Sequence, residues 1–416
     1  MRLCLHARMR RGPLWSAIFG LLVLTTQVSA QTNEQDIFDS TQVQDISLQM
    51  NARDLADLRE HWDSNTFYPA DFTYRDVRVR NVGVRSRGWG SRNGIKLGLR
   101  IDFNHYISGQ RFADTAAIVL DNLWQDPSMV REAAAMAFIA RMGEAASRES
   151  FARVFINGDF QGVYAVVEEP NTGYLKRRFG KDVGALFEYH WVRTYDFSAL
   201  GDRLDEYELL FERRTHDSDP AAPVYEPLQA MIDANSYPVE TAWRERIEPY
   251  LDLPQMVRYA AIEAFLGEID GFTGYAGVNN FYVYRPDGST KHIFLPWDRD
   301  HAMWQLDLSI FERVSGNRLL YNALAHSDLR ALYLDTIERC ARSALEDKWL
   351  EAQVTRLSAQ VDSVAPFDTR LPYTKEQHDG EVVNVIDFAR RRSSFVLKEI
   401  ATARKTMSAV RASRGR

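Results

Sequence analysis

The stretch DGFTGYAGVNNFYVYRPDGSTKHIFLPWDRD, residues 270–300, predicts a short β-hairpin that returns its two ends to one edge of a sheet. Strands are predicted over 280–285 and 291–295, where apolar and aromatic residues predominate. The turn between them, Pro286-Asp287-Gly288-Ser289, has the residue types of tight turns. Acidic residues stand before and after these strands, so the hairpin decides where the charged groups meet.

Three carboxylates and an amide are expected to converge at that edge. Asp270 precedes the hairpin and is followed by a loop with three glycines, in which Asn279 and Asn280 lead into the first strand. Asp298 and Asp300 follow the second strand. Carboxylate and amide oxygens suit a hard cation such as Mg²⁺ or Mn²⁺, and a carboxylate left uncoordinated could act as a base. The sequence does not separate Asn279 from Asn280 as the metal ligand.

A structural interpretation of the same acids stays open. In that interpretation Asp298 and Asp300 cap the next helix or pair with Arg299 and Arg258. Asp270 would bind backbone N–H groups of the glycine loop, a common use of Asp in turns. An isolated Asp-x-Asp favours this interpretation, whereas the order of the surrounding elements favours a metal site.

That order follows the outline of a protein kinase, in which a catalytic Asp precedes an Asn, a hairpin and a metal-binding Asp. In the first half of the chain, Lys96 opens a predicted strand after the glycine-containing loop 87–94 and could reach nucleotide phosphates. Glu132 lies on a helix predicted over 126–143 and could pair with Lys96. Each has a simpler explanation, namely an exposed strand-edge lysine and a helix-surface pair of Glu132 with Arg131.

We therefore predict an α+β fold of the atypical protein-kinase type with two lobes. Residues 31–169 are expected to form a β-rich N-lobe with one prominent helix. Residues 170–416 are expected to form a mainly helical C-lobe that carries the hairpin, with a hinge at Glu168-Glu169-Pro170-Asn171. The chain after position 30 is longer than one hydrophobic core usually supports, which agrees with two lobes.

Several stretches together carry a family resemblance. They are Val84 to Gly88, Lys96 to Asn104, Leu120 to Glu132, Val154 to Tyr164, the Glu168 hinge, Asn280 to Tyr284, and Pro296 to Asp300. With them the sequence resembles the CotH family, named for the bacterial spore coat protein H and described as atypical, kinase-like enzymes. The resemblance covers nearly all of the chain after the leader, and Pro-Trp-Asp-x-Asp is its most specific part.

The resemblance implies an ATP-dependent protein kinase with a divalent metal, Mg²⁺ or Mn²⁺, acting on Ser or Thr of an envelope or secreted protein. It implies that Asp270 is the catalytic carboxylate and that Asp298 binds the metal. The full set of expected nucleotide-binding residues is Lys96, Glu132, Arg87 and Glu168. The expected metal ligands are Asp298, Asn280 and Asp300.

Residues 1–30 have the pattern of a secretory signal peptide. Four arginines precede an apolar run from Leu14 to Leu24, and Val28-Ser29-Ala30 fits a signal peptidase site. Cleavage would leave an exported protein, periplasmic or extracellular, without an integral membrane segment, because no later apolar stretch is long enough to span a bilayer. Cleavage would also remove Cys4 and leave Cys340 alone, which excludes an intramolecular disulfide or a Cys-rich metal centre.

Charge and histidine content separate the remaining function classes. Loss of the four leader arginines changes the formal net charge from −6 to −10, which disfavours a nucleic-acid binder. A catalytically silent surface or envelope binding protein of the same fold is the main alternative, because ATP is scarce outside the cytoplasm. A metal-dependent enzyme that activates water is a third. Against it, only His292 and His301 lie near the acids, and neither has a zinc-type partner at helical spacing.

Overall fold

The structure is a computed structural model that describes residues 37–180, 183–239, 242–364 and 368–414. The predicted signal peptide over 1–30 lies outside these residues. The fold mixes α-helices and β-strands, in agreement with the predicted class. Strands predominate up to Glu168, and helices predominate after it.

Within the described residues, seven strands form a closed barrel in the first part of the chain. Its elements, in chain order, are β1 (Val43–Met50), α1 (Ala52–Glu60), β2 (Tyr68–Tyr74), β3 (Val77–Ser86), β4 (Leu99–Asp102), β5 (Ala117–Asp121), α2 (Arg131–Arg141), β6 (Glu149–Ile156) and β7 (Asp159–Glu168). The strand order is β1-β2-β3-β4-β5-β7-β6, and a parallel pairing of β6 with β1 closes the barrel. Alternate residues of β1 are buried, and the rings of Phe72, Phe103 and Phe112 pack together in the interior.

Two element boundaries in this part differ from the sequence prediction. The strand expected to open at Lys96 begins at Leu99, because Lys96 lies in a bend that precedes the pairing of β4 with β3. The helix expected over 126–143 begins at Arg131. The side chain of Asp126 accepts a hydrogen bond from the backbone N–H of Arg131, so it holds a turn ahead of the helix instead of capping the helix itself.

The second part of the chain packs helices around a small sheet. Its elements are α3 (Thr172–Phe179), β8 (Ala185–Tyr189), α4 (Leu204–Leu210), β9 (Phe211–Arg213), α5 (Ala221–Ala234), α6 (Trp243–Ile247), α7 (Leu253–Leu266), β10 (Phe281–Arg285), β11 (Ile293–Pro296), α8 (Arg318–Ala325), α9 (Ser327–Leu345), α10 (Trp349–Asp362) and α11 (Lys375–Arg414). The predicted hairpin is β10 and β11. It does not stand alone, because β8 pairs with β10 and extends the sheet in the order β11-β10-β8-β9.

The helix before the hairpin ends earlier than predicted. The long apolar run over residues 253–269 predicts one continuous helix, but α7 ends at Leu266 because Gly267 adopts the left-handed conformation (φ 62°) that terminates many helices. Asp270 therefore lies in the loop beyond the helix and not at its negative end.

In the part of the chain that the structure describes, no helix combines the length and the apolar character needed to cross a bilayer.

Candidate active site

The hairpin brings Asp270, Asn280 and Asp298 to one edge of the small sheet. The side-chain amides of Asn279 and Asn280 each donate to Oδ2 of Asp270 at 3.2 Å. Asn280 Nδ2 also donates to the backbone oxygen of Asp270 at 2.9 Å. The backbone N–H of Trp297 donates to the backbone oxygen of Asn280 at 3.3 Å, so Asp298 follows directly at the same edge.

Both strand ends at this edge have unusual backbone. Asn280 has φ 57° and Asp298 has φ 51°. Positive φ is uncommon for residues other than Gly and is tolerated best by Asn and Asp. Non-glycine residues in this region cluster at functional sites, where the surrounding structure holds them in place. The two residue types therefore serve the backbone geometry as well as the chemistry of the edge.

A buried ion pair anchors the segment between the two hairpin acids. Arg299 is fully buried and donates to the Glu263 carboxylate and to the Tyr259 hydroxyl. Glu263 also accepts from the backbone N–H of Phe272 at 2.8 Å, which ties the glycine loop to α7. At Gly271 a Cβ would lie 2.7 Å from Oε2 of Glu263, so the close packing requires glycine there.

The structure therefore contradicts the ion pairs of Asp298 and Asp300 with Arg299 and Arg258 that the structural interpretation expected. Arg299 pairs with Glu263 and Arg258 pairs with Glu144. Asp300 instead accepts from Nδ1 of His301 at 2.8 Å. Burial lowers the pKa of His301, but the hydrogen bond to Asp300 and the negative charges of Asp300, Glu268 and Asp270 together outweigh burial and raise the pKa to about 9. At neutral pH His301 is therefore an imidazolium.

The barrel contributes a second set of charged groups to this region. Arg87, directly after β3, donates to Asp121 at the end of β5 over 3.2 Å, and its guanidinium lies 5.7 Å from the centre of the Trp297 ring. Glu132, in the first turn of α2, and Glu149, the first residue of β6, are each 7% exposed. The hairpin edge and the barrel edge thus form one cluster, which we call the acidic cluster: Asp121, Glu132, Glu149, Asp298 and Asp300.

Mutual repulsion and burial make four acids of this cluster hard to ionise together: Asp121, Glu132, Glu149 and Asp298. Burial raises the pKa of Asp298 well above its usual range, the charge of Asp300 raises it further, and Arg87 opposes both. Burial likewise raises the pKa of Glu132, followed by the charges of Glu149 and Asp298. Strongly perturbed carboxyl pKa values of this kind are frequent at functional sites.

Next to the cluster, Asp270 and Glu268 are also perturbed. Burial raises the pKa of Asp270, while the hydrogen bond from Asn279 opposes the shift. Burial raises the pKa of Glu268 to about 7. Glu268 Oε1 accepts from the backbone N–H of Asp270 at 2.8 Å, so it positions the loop on which Asp270 lies.

The predicted pair of Lys96 with Glu132 is not formed. Lys96 Nζ donates to Asp368 Oδ2 at 2.6 Å and to the backbone oxygen of Val163 at 2.7 Å. The side chains of Lys96 and Asp368 are both fully buried. Asp368 comes from the segment between α10 and α11, 272 positions along the chain, so the order of motifs did not reveal it. The ammonium group is therefore engaged by protein groups.

Glu168 also lies apart from the acidic cluster. Its carboxylate is buried and pairs with Arg148 and Arg177. A surface cavity beside it, bordered by Gly173 and Thr115, has a volume of about 120 Å³. Sites for small molecules usually have ~300 Å³ or more, so this cavity does not support the predicted role of Glu168 in binding a nucleotide.

The structure therefore brings six of the predicted site residues into one region: Asp270, Asn280, Asp298, Asp300, Arg87 and Glu132. Lys96 and Glu168 instead form ion pairs with other residues. Sequence reasoning did not single out Asp121, Glu149 and Glu268. A signal was present for two of them, because Asp121 and Glu149 stand at the ends of apolar strand patterns, where a charged residue is buried once the strands close into a barrel.

Comparisons with known proteins agree on the family. The family model described as CotH kinase protein matches residues 84–396. The inner spore coat protein H of Bacillus subtilis (strain 168) is 26% identical over 362 residues, which covers 83% of this chain and 94% of that protein.

Two further similarities are more distant. The invasin CotH3 of Rhizopus delemar is 23% identical over 311 residues, and the match covers 70% of this chain and 50% of the invasin. Among solved structures, the crystal structure of a Helicobacter pylori proinflammatory kinase, CtkA, is similar at a TM-score of 0.32 and 10% identity, covering 74% of this chain and 94% of that one. At that TM-score the likeness carries no structural argument.

Proposed function

The chain belongs to the CotH kinase protein family, and we propose that it is an exported, atypical protein kinase with a two-lobed kinase-like fold. It transfers the γ-phosphate of ATP to Ser or Thr hydroxyls of an envelope or secreted protein. One observation carries the proposal: Asp270, Asn280 and Asp298 meet at one edge, and the electrostatic influence of Arg87 reaches Asp298.

The residues at this edge fit a divalent cation. Burial and Asp300 together hold the pKa of Asp298 well above its usual range, which means that a positive charge is needed there for full ionisation. Asp298 is the principal ligand in this proposal, with Asp300 and either Asn279 or Asn280 beside it. Hard oxygen donors of this kind suit Mg²⁺ or Mn²⁺, and the bound ion supplies charge neutralisation for the phosphates.

Asp270 orients the acceptor hydroxyl and accepts its proton. Two asparagine amides hold the carboxylate in place, and a pKa raised by burial makes it a better proton acceptor than an ordinary Asp. Arg87 is the cation of the barrel edge, and its planar guanidinium matches the geometry of phosphate oxygens. Positioning of the reactants and neutralisation of the phosphate charge therefore account for most of the catalysis, as in other phosphoryl transfers.

A catalytically silent binding protein of the same fold is the second candidate. The observation that favours it is the engagement of Lys96 with Asp368, since a kinase lysine is expected to pair with the helix glutamate and to contact phosphates. The relatives also include, by name, a spore coat protein and an invasin. In this alternative the acidic cluster binds a metal for stability, and a surface of the chain binds a partner.

The test is transfer of radiolabelled phosphate from ATP by the purified chain, to itself and to a casein-like acceptor, with Mg²⁺ and Mn²⁺ compared. The variant Asp298→Asn removes the principal ligand charge and keeps the side-chain shape. Asp45→Asn serves as the matched control, because Asp45 is an exposed acid on the outside of the barrel, paired with Arg153.

Transfer by the wild type and by Asp45→Asn, but not by Asp298→Asn, supports the kinase. A wild type that transfers nothing with either metal overturns it in favour of the binding protein. If Asp298→Asn transfers as well as the wild type, the metal site lies elsewhere.

A further inference from the structure

Glu149 is a buried carboxylate that the proposed kinase roles leave unused. It is 7% exposed, and within the described residues neither of its two carboxylate oxygens has a hydrogen-bond partner. An unpaired carboxylate in such a position is strongly unfavourable unless it is protonated or bound to a cation. It lies at the start of β6, the strand against which α2 packs.

Glu132 on α2 is the neighbour of Glu149. Burial is the largest cause of the raised pKa of Glu132, and the charge of Glu149 is the second largest. Burial also raises the pKa of Glu149, and the charges of Asp121 and Asp298 raise it further. The two glutamates, on a helix and a strand that pack together, therefore repel each other and the other acids of the acidic cluster.

Protein cations are too few to neutralise this cluster. In the described part of the chain, four cations act on its acids and each is already paired: Arg87 with Asp121, His301 with Asp300, Lys96 with Asp368 and Arg299 with Glu263. The five carboxylates of the cluster therefore share these four cations with Asp368 and Glu263. One divalent ion at Asp298 therefore leaves the pair of Glu132 and Glu149 without a partner of its own.

Two other groups of acidic and histidine residues in the described part of the chain already have a basic side chain paired with their acids. Glu188, His190 and Glu212 lie within ligand distance of one another, and the guanidinium of Arg214 already pairs with both glutamates. The same holds for the group Asp362, His378 and Asp379, where Lys375 pairs with both aspartates. These groups contain their own cations, whereas the glutamate pair does not.

We propose that Glu132 and Glu149 bind a second divalent cation, Mg²⁺ or Mn²⁺, next to the one at Asp298. The proposal rests on the proposed function and deepens it. Two carboxylates with water or phosphate oxygens completing the shell are a usual environment for Mg²⁺. A second cation brings the cluster closer to neutrality and gives a triphosphate two positive contacts in place of one.

The test counts bound Mn²⁺ per chain in the absence of nucleotide, by electron paramagnetic resonance of free Mn²⁺ and by calorimetric titration at neutral pH. The variants are Glu149→Gln, Glu132→Gln and Asp298→Asn, all of which keep the side-chain shape. Glu144→Gln is the matched control, because Glu144 is also a buried glutamate but is paired with Arg258. Far-ultraviolet circular dichroism verifies that each variant is folded.

We expect two Mn²⁺ ions for the wild type and for Glu144→Gln. Glu149→Gln and Glu132→Gln should each lose one ion, and Asp298→Asn should lose the other. The Glu149→Gln protein without metal should melt at or above the wild-type temperature, since the substitution removes a buried carboxyl group that has no hydrogen-bond partner, whereas Glu144→Gln should melt lower. A bound ion that disappears only in the glutamate variants supports the second site, even if the proposed site at Asp298 fails.

Other results overturn the proposal. If Glu149→Gln and Glu132→Gln bind as many ions as the wild type, the glutamates hold protons and not a metal, and the site at Asp298 is unaffected by that outcome. If the wild type binds no Mn²⁺, the second site does not exist in the free protein.

Discussion

The buried pair of Lys96 and Asp368 allows the structure to be tested against the kinase outline at one residue. The perturbation is Lys96→Met, which keeps most of the length and apolar character of the side chain and removes the ammonium group. If Lys96 served mainly to contact phosphates, its loss would affect nucleotide binding and leave stability unchanged. The structure instead predicts that the substitution mainly lowers stability, because the side chains of Lys96 and Asp368 are both fully buried.

The magnitude follows from the geometry of the pair. At an N–O distance of 2.6 Å and an effective dielectric constant of about 20, the attraction is about 6 kcal/mol. Burial opposes it and lowers the pKa of Lys96 to about 8, so desolvation exceeds the benefit of pairing. Lys96→Met leaves the Asp368 carboxylate buried without its counter-ion, and we expect a loss of about 3–5 kcal/mol in the free energy of unfolding.

The assay is urea denaturation of a double-mutant cycle, followed by circular dichroism and tryptophan fluorescence. Asp368→Asn should destabilise the protein to a similar degree, because it leaves the ammonium group buried. The double variant should lose about as much as either single variant and not their sum, which corresponds to a coupling energy of about 3–5 kcal/mol. Lys375→Met is the control. Its ammonium pairs with aspartates at the surface, where side chains are about half exposed, so its loss should cost less than about 1 kcal/mol.

A different pattern would refute the reasoning. If Lys96→Met is as stable as the wild type and loses nucleotide binding, Lys96 is a phosphate ligand. The ion pair with Asp368 would then not be what Lys96 contributes to the protein. If the two single substitutions add in the double variant, the residues do not act as a pair.

Three further predictions concern other parts of the chain. Asp270→Ala should keep nucleotide and metal binding but lower phosphoryl transfer by orders of magnitude, because a catalytic carboxylate acts mainly in the transition state; transfer at the wild-type rate would make Asp270 a turn residue. Hydrogen bonds to Glu188 and Glu212 raise the pKa of His190 to about 9. His190 therefore contributes stability that is fully present below pH 6.5, its ordinary pKa, and is lost as the pH rises through about 9. Because the side chain is partly exposed, the unfolding free energy of His190→Gln should fall below wild type by about 1 kcal/mol near neutral pH and match it above about pH 10; a constant difference would exclude the histidine charge as its cause. Mass spectrometry of exported protein should find an N-terminus at or near Gln31, and an intact Met1 would contradict cleavage.

Local sequence patterns were sufficient for the hairpin and for the meeting of its ends. Alternating apolar residues, a turn of Pro, Asp and Gly, and acids on both sides specify which groups lie together, since a two-stranded hairpin has only one way to return its ends. Asp270, Asn280 and Asp298 were therefore placed correctly relative to one another. The chain order of motifs also led to the family, which the comparison over residues 84–396 shows.

The partners of buried charges were decided by the tertiary structure alone. Lys96 pairs with a residue 272 positions away, Arg299 pairs with Glu263 on α7, and Glu149 lies beside Glu132 only because α2 packs against β6. A buried charge is held by whichever opposite charge the folded chain brings near it, and no local pattern encodes that choice. Sequence by itself thus determined which residues could do chemistry at the hairpin, whereas the packing of distant segments determined which of the remaining charges are free to join them.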